Sequence, residues 1–206
     1  PDPTVAITLE EGADGWIARS EAIELHIDRE PLRLWARDTQ GRVFWQQKRS
    51  DLFTADIFDI SIARAEGRTG CFETFALDGQ EELFGLGERF DHVPRTGRVV
   101  DFWNKDAIGT SNRRTYINVP FFFSTRGYGL FLNSSARTEW ELGTLEAFSA
   151  GFAVEDDGMD YFIIYGPSPA EILHRYATLT GFAPTPPVWS FGLWMTTSFT
   201  TQYDEA

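Results

Sequence analysis

Residues 22–28 read Ala22-Ile23-Glu24-Leu25-His26-Ile27-Asp28, with apolar and polar side chains in alternation. Successive side chains of a strand point to opposite faces, so Ile23, Leu25 and Ile27 share one face and the stretch reads as a half-buried antiparallel strand. Comparable short runs follow at 32–36, 43–46, 58–63, 71–77, 121–124, 129–132, 137–142, 148–154 and 161–165. Asp38-Thr39-Gln40-Gly41, Asp78-Gly79, Arg126-Gly127 and Asp157-Gly158 separate them with turn chemistry. So many short strands, with no helical pattern between them, predict a mainly β fold built as an antiparallel β-sandwich.

One helix is signalled late, over 168–181. Ser168 can cap it, Pro169 suits a first helical position where no N–H is needed, Glu171 completes a capping box, and Gly181 supplies the stop. Ile172, Leu173, Tyr176 and Leu179 are expected to share the face that packs on the sandwich, with His174 at the surface. A stiff connector, Ala183-Pro184-Thr185-Pro186-Pro187, then marks a domain boundary. The apolar run Val188-Trp189-Ser190-Phe191-Gly192-Leu193-Trp194-Met195 reads as a strand buried on both faces of a parallel sheet. No neighbouring strands follow it, and the chain starts without Met, so it reads as a piece of a longer protein whose second domain is cut after its first strand.

Composition narrows the partners. Of 206 residues, 42% are hydrophobic and 15% aromatic, enough for a packed core. Lys and Arg total 18 against 31 Asp and Glu, a formal charge of -13 that would repel a phosphate backbone, so nucleic acid is not expected. No apolar run approaches the roughly 18 to 20 residues that span a bilayer, and no secretory leader opens the sequence. One cysteine, Cys71, forbids an internal disulfide and fits a reducing cytoplasm; it is expected as a small buried hydrophobe. The three histidines, His26, His92 and His174, have no ligand spacing, so neither a metal nor another cofactor is expected.

Several motifs have plain readings. Gly85-Leu86-Gly87-Glu88-Arg89-Phe90 lacks the third glycine and the following helix of a dinucleotide loop, and reads as a tight turn anchored by Glu88 and Arg89. Glu155-Asp156-Asp157-Gly158 lacks calcium-loop spacing and reads as a solvated hairpin, while Asn133-Ser134-Ser135 fits a glycosylation sequon. The segment 90–120 carries few alternating patterns but many polar and aromatic side chains, and long irregular segments in compact domains are usually functional or disordered. Carboxylates beside aromatic rings suit sugars, whose C–H faces stack on rings while their hydroxyls meet Asp, Asn and Arg. Trp103-Asn104-Lys105-Asp106 offers that mixture, and Thr197-Ser198-Phe199 places an aromatic where a parallel strand of a (β/α)8 barrel would end.

Beyond these readings, the chain resembles glycoside hydrolase family 31, the retaining α-glucosidases and α-xylosidases. The matching stretches are Phe84-Gly85-Leu86-Gly87-Glu88-Arg89-Phe90, Trp103-Asn104-Lys105-Asp106, Asn118-Val119-Pro120-Phe121-Phe122, Gly127-Tyr128-Gly129-Leu130-Phe131-Leu132-Asn133, Met159-Asp160-Tyr161-Phe162, Leu179-Thr180-Gly181 and Pro186-Pro187-Val188-Trp189-Ser190-Phe191-Gly192. They cover 82–206, and the resemblance is weak before Glu82. The ending Gly192-Leu193-Trp194-Met195-Thr196-Thr197-Ser198-Phe199 looks most like the bacterial α-xylosidase branch.

The resemblance implies a galactose-mutarotase-like sandwich over 1–183, with a lid loop at about 90–120, and over 184–206 the connector and first strand of a truncated catalytic barrel. It implies that Asp106, with Trp103 beside it, lines the aglycone side and that Phe199 flanks the non-reducing sugar. Retaining hydrolysis needs two carboxyl groups about 5 to 5.5 Å apart. In the family both come from later barrel strands, so no catalytic residue is expected before Ala206 and the piece alone is expected to be inactive. Trp189, Phe191, Leu193 and Trp194 are then expected to be exposed. The expected partner is an α-xyloside or α-glucoside oligosaccharide, with neither nucleic acid nor membrane, and the intact enzyme is expected to be a homo-oligomer. The competing readings are a non-enzymatic carbohydrate-binding sandwich and a mutarotase-like enzyme using His26 or His92.

Overall fold

The computed structural model describes residues 5–48, 60–65, 68–106 and 115–194, those between 60 and 69 by backbone alone. In chain order the strands are β1 (Thr8–Glu11), β2 (Gly15–Arg19), β3 (Ile23–Arg29), β4 (Leu32–Asp38), β5 (Val43–Gln46), β6 (Ile60–Ala65) and β7 (Arg68–Ala76). There follow β8 (Leu83–Gly85), β9 (Arg98–Phe102), β10 (Phe121–Ser124), β11 (Tyr128–Leu132), β12 (Thr138–Leu142), β13 (Ser149–Val154) and β14 (Tyr161–Tyr165), then the helix α1 (Pro169–Thr180). Every pairing is antiparallel. The first sheet is the meander β1-β2-β3-β4-β5, the second has the order β6-β7-β13-β12-β9, and the third β14-β11-β10-β8.

Alternation builds the core. In β12, Thr138, Trp140 and Leu142 point inward while Glu139 is exposed. Trp140 is fully buried against Phe152 of β13 (ring centroids 4.9 Å), Phe102 of β9 (5.8 Å) and, across the sandwich, Phe122 of β10 (5.9 Å, edge on). Ala36, Phe44 and Trp45 bring the first sheet into the same core. Past β5 the chain pairs with the second sheet through a bridge between Gln47 and Phe75. At that junction Gln47 accepts from Leu34 N (2.7 Å) and donates to Glu73 (2.8 Å), which also accepts from Tyr161 (2.8 Å) and Thr74 N (2.9 Å). Glu73 and Gln47 are fully buried, and each bond there replaces one to water.

Helix α1 covers the outer face of the third sheet. Ser168 caps it, bonding Glu171 N (3.4 Å) and the Glu171 carboxylate (2.7 Å), and Gly181 N–H closes it on Ala177 O at 2.8 Å. Ile172 packs with Phe121 and Ile164. Gly166 makes this approach possible, because a Cβ there would stand 2.7 Å from Ile172 Cγ1 and 2.9 Å from its backbone N. Leu173, expected on the same stripe, is instead exposed, whereas Tyr176 and Leu179 join it as half-buried side chains. His174 is exposed as expected. Cys71 is buried, and burial pushes its thiol up.

Several expectations change. Strands β1, β2, β8 and β9 form without a decisive alternating run in the sequence, and β9 lies within the segment 90–120 expected to be irregular. The expected strand after Pro187 does not form through Trp194: Val188–Phe191 is a single 3-10 turn, closed by Ser190 N–H to Pro187 O at 2.9 Å. A strand must hand its N–H and C=O groups to neighbours, and among the described residues none lies alongside, so the segment bonds to itself. Its side chains are exposed as expected: Trp189 71%, Phe191 77%, Leu193 91% and Trp194 67%. No helix among the described residues is long and apolar enough to cross a membrane.

Candidate functional site

The site begins at the turn after β8. Leu86 is fully buried at φ 63°, a left-handed conformation that costs a leucine energy and that packing holds in place. Gly87 follows at φ +86°, and a Cβ there would lie 2.1 Å from Ile117 O. The turn thus presses the backbone of 86–88 against the returning strand of the loop. Leu86 N–H bonds Phe121 O (2.8 Å) and Glu88 N–H bonds Ile117 O (3.0 Å).

Two segments rise together from this base, 103–106 leaving β9 and 115–118 returning toward β10. Lys105 N–H donates to Thr115 O at 3.1 Å. Asn118 Nδ2 donates to Asn104 Oδ1 at 2.6 Å, and Tyr116 donates its phenol proton to Asp106 Oδ1 at 2.5 Å. Thr115 is buried, its hydroxyl bonding Glu88 O and taking Ile117 N–H at 3.2 Å. The outcome is a braced stem with Trp103 (52% exposed) and Tyr116 (55% exposed) on its surface.

Arg89 ties the stem to the core. Its Nε donates to Leu86 O (3.0 Å), its Nη2 to Asn118 Oδ1 (2.6 Å), and its guanidinium lies 5.2 Å over the Phe102 ring. Burial, with the neighbouring charge of Arg95 adding to it, pulls Arg89 down to about 10, so it stays charged at neutral pH. Arg95 is itself buried, bonding Gly85 O (3.0 Å), His92 O (2.8 Å) and Asp91.

Of the residues singled out from the sequence, Trp103 and Asp106 therefore stand on one stem, while Phe199 lies outside the described residues. The Gly85 to Phe90 motif is the tight turn expected of it, and Arg89 makes the charged bonds, but Glu88 is held by its backbone N–H and carbonyl, its exposed carboxylate pairing with none of the described residues. The partnerships of Tyr116 with Asp106 and of Asn118 with Asn104 had no signal in the sequence, since the partners stand 10 and 14 residues apart in a segment with no sustained helical or alternating pattern. Chemically the stem pairs a carboxylate with a phenol and sets amides and an indole beside them. Such groups are able to bind hydroxyls and stack on C–H faces; among the described residues no second carboxyl is paired with Asp106 for retaining hydrolysis.

The sequence profile of the glycosyl hydrolase 31 N-terminal galactose mutarotase-like domain matches residues 1–141. The chain belongs to that family. The match takes in residues 1–81 as well, where motifs alone carried little. Among curated proteins it is 47% identical over 133 residues to the α-xylosidase XylQ of Lactiplantibacillus pentosus, covering 65% of this chain and 17% of that protein. It is 45% identical over 125 residues to an α-xylosidase of Emericella nidulans, covering 61% and 16% respectively. The chain thus spans less than a fifth of these relatives. The mutarotase-like fold also superposes on a family 31 dextranase of Flavobacterium johnsoniae, solved with glucose, at TM-score 0.79 and 24% identity, over 90% of this chain and 22% of that one.

Proposed function

We propose that this domain belongs to a retaining α-glycosidase that removes terminal α-xylosyl units in preference to α-glucosyl units, and that the stem 103–106 with 115–118 forms the aglycone side of its site. The observation that carries the reading is the 47% identity to an α-xylosidase. The stem adds to it an exposed indole and a braced carboxylate of the kind that grips a sugar. The bond-breaking carboxylates belong to the catalytic barrel, and Phe199 to its first strand; the domain itself binds and shapes. The reading includes a cytoplasmic, homo-oligomeric enzyme.

The test is kinetic, on the full-length protein. Hydrolysis of an aryl α-xyloside faster than of the matching α-glucoside is expected, with no turnover by residues 1–206 alone. Asp106→Ala is expected to lower kcat/KM for an α-xylosyl disaccharide about tenfold, as when a hydrogen bond to a charged group is lost, and to leave the aryl xyloside within about twofold. Sugar binding without hydrolysis by the full-length protein would instead make this a carbohydrate-binding module.

A further inference from the structure

The bond between Tyr116 and Asp106 divides the carboxylate's two oxygens between two tasks. At 2.5 Å it has the length of a charge-assisted O–H···O⁻ bond, and among the described residues it is the one hydrogen bond that Asp106 makes. Asp106 is exposed, so without a partner its side chain would turn among rotamers and bind with an ordering cost. The phenol is well placed to prevent this. Tyr116 stands between buried Thr115 and Asn118, and those neighbours are tied through Glu88 and Arg89 to the turn after β8.

We infer that Tyr116 is a positioning residue, which holds Asp106 through Oδ1 so that Oδ2 accepts from a hydroxyl of the aglycone sugar. The inference rests on the reading of Asp106 as an aglycone contact. Asp106 Oδ2, which takes no hydrogen bond among the described residues, is thereby left as an acceptor, which suits a ligand rich in hydroxyl donors. A leaving group without hydroxyls, such as a simple aryl ring, gains nothing from it.

The experiment is a double-mutant cycle in the full-length enzyme with Asp106→Ala, Tyr116→Phe and both together, each measured on an α-xylosyl disaccharide and on an aryl α-xyloside. Tyr116→Phe keeps an exposed ring in place, so the melting temperature should hold. It is expected to raise KM for the disaccharide about fivefold with kcat nearly unchanged, to spare the aryl substrate, and to add no loss once Asp106 is alanine. If Asp106→Ala is selective for the disaccharide but Tyr116→Phe has no effect, adds its own loss on top, or lowers kcat on both substrates, the positioning role is overturned and the aglycone reading survives. If Asp106→Ala affects both substrates equally or neither, the aglycone reading fails and this inference falls with it.

Discussion

Arg89 reaches across the base of the stem to Asn118, with 2.6 Å between Nη2 and Oδ1, while its Nε holds the carbonyl of the left-handed Leu86. One planar guanidinium thus joins the turn after β8 to the returning side of the loop, a geometry that a lysine ammonium cannot copy. Arg89→Lys is expected to cost about 1 to 3 kcal/mol in urea unfolding, from bonds lost to a charged, half-buried group. In the full-length enzyme it should also weaken disaccharide turnover more than aryl xyloside turnover. A stability loss without that difference would separate the brace from the site.

Helix α1 depends on Ile172 seated against Gly166. Ile172→Ala removes a fully buried side chain and leaves a cavity at the sheet face, for an expected loss of about 2 to 5 kcal/mol. Gly166→Ala attacks the same seat from the other side, and its Cβ would press on backbone, which cannot turn away. The two losses should not add, because each unseats the same helix. Additive losses in denaturant unfolding would mean that the helix is held elsewhere.

Glu73 accepts from Gln47, Tyr161 and Thr74 N. Burial first, and then the Glu73 charge and its hydrogen bond, push the Tyr161 hydroxyl well above its usual range. Glu73→Gln keeps the shape but turns an NH2 toward donors whichever way the amide is set. A loss of about 1 to 3 kcal/mol is expected from the unsatisfied pair, measured by urea unfolding at neutral pH.

On the outer face of the first sheet, Glu24 is held at about 2, by Arg37 first and Arg19 next, with His26 adding to them; their atoms lie 2.7, 3.0 and 3.2 Å away. A carboxylate held below its unfolded value stabilises the fold above that value, about 4.3, and loses the effect as pH falls through about 2. Wild type should therefore melt above Glu24→Gln at neutral pH, with the gap closing between pH 4.5 and 2. The gap should be small and should shrink with salt, because the cluster faces water. A gap that persists at pH 2 would assign Glu24 a packing role instead.

What the sequence by itself determined is what neighbours along the chain can encode. Alternation in 22–28 marked a strand, because side-chain direction in an extended chain has period two, and short apolar runs set off by turn residues marked others at 43–46, 121–124 and 161–165. Ser168, Pro169 and Gly181 marked the helix, because caps act within one turn. The motifs from Phe84 onward marked the family, and the indole and carboxylate of 103–106 raised the expectation of a sugar contact there.

Only the tertiary structure decided how these pieces meet. β7 lies beside β13, and β8 beside β10, since pairing depends on which apolar faces can close one core and not on nearness in sequence. The 3-10 turn at Val188–Phe191 follows the same logic in reverse, an apolar run that bonds to itself where, among the described residues, no strand lies beside it. Tyr116 meets Asp106 because a glycine turn, a guanidinium and two amides bring the ends of one loop together. Each of those contacts is set by close approach in space, on which no local pattern of residues bears.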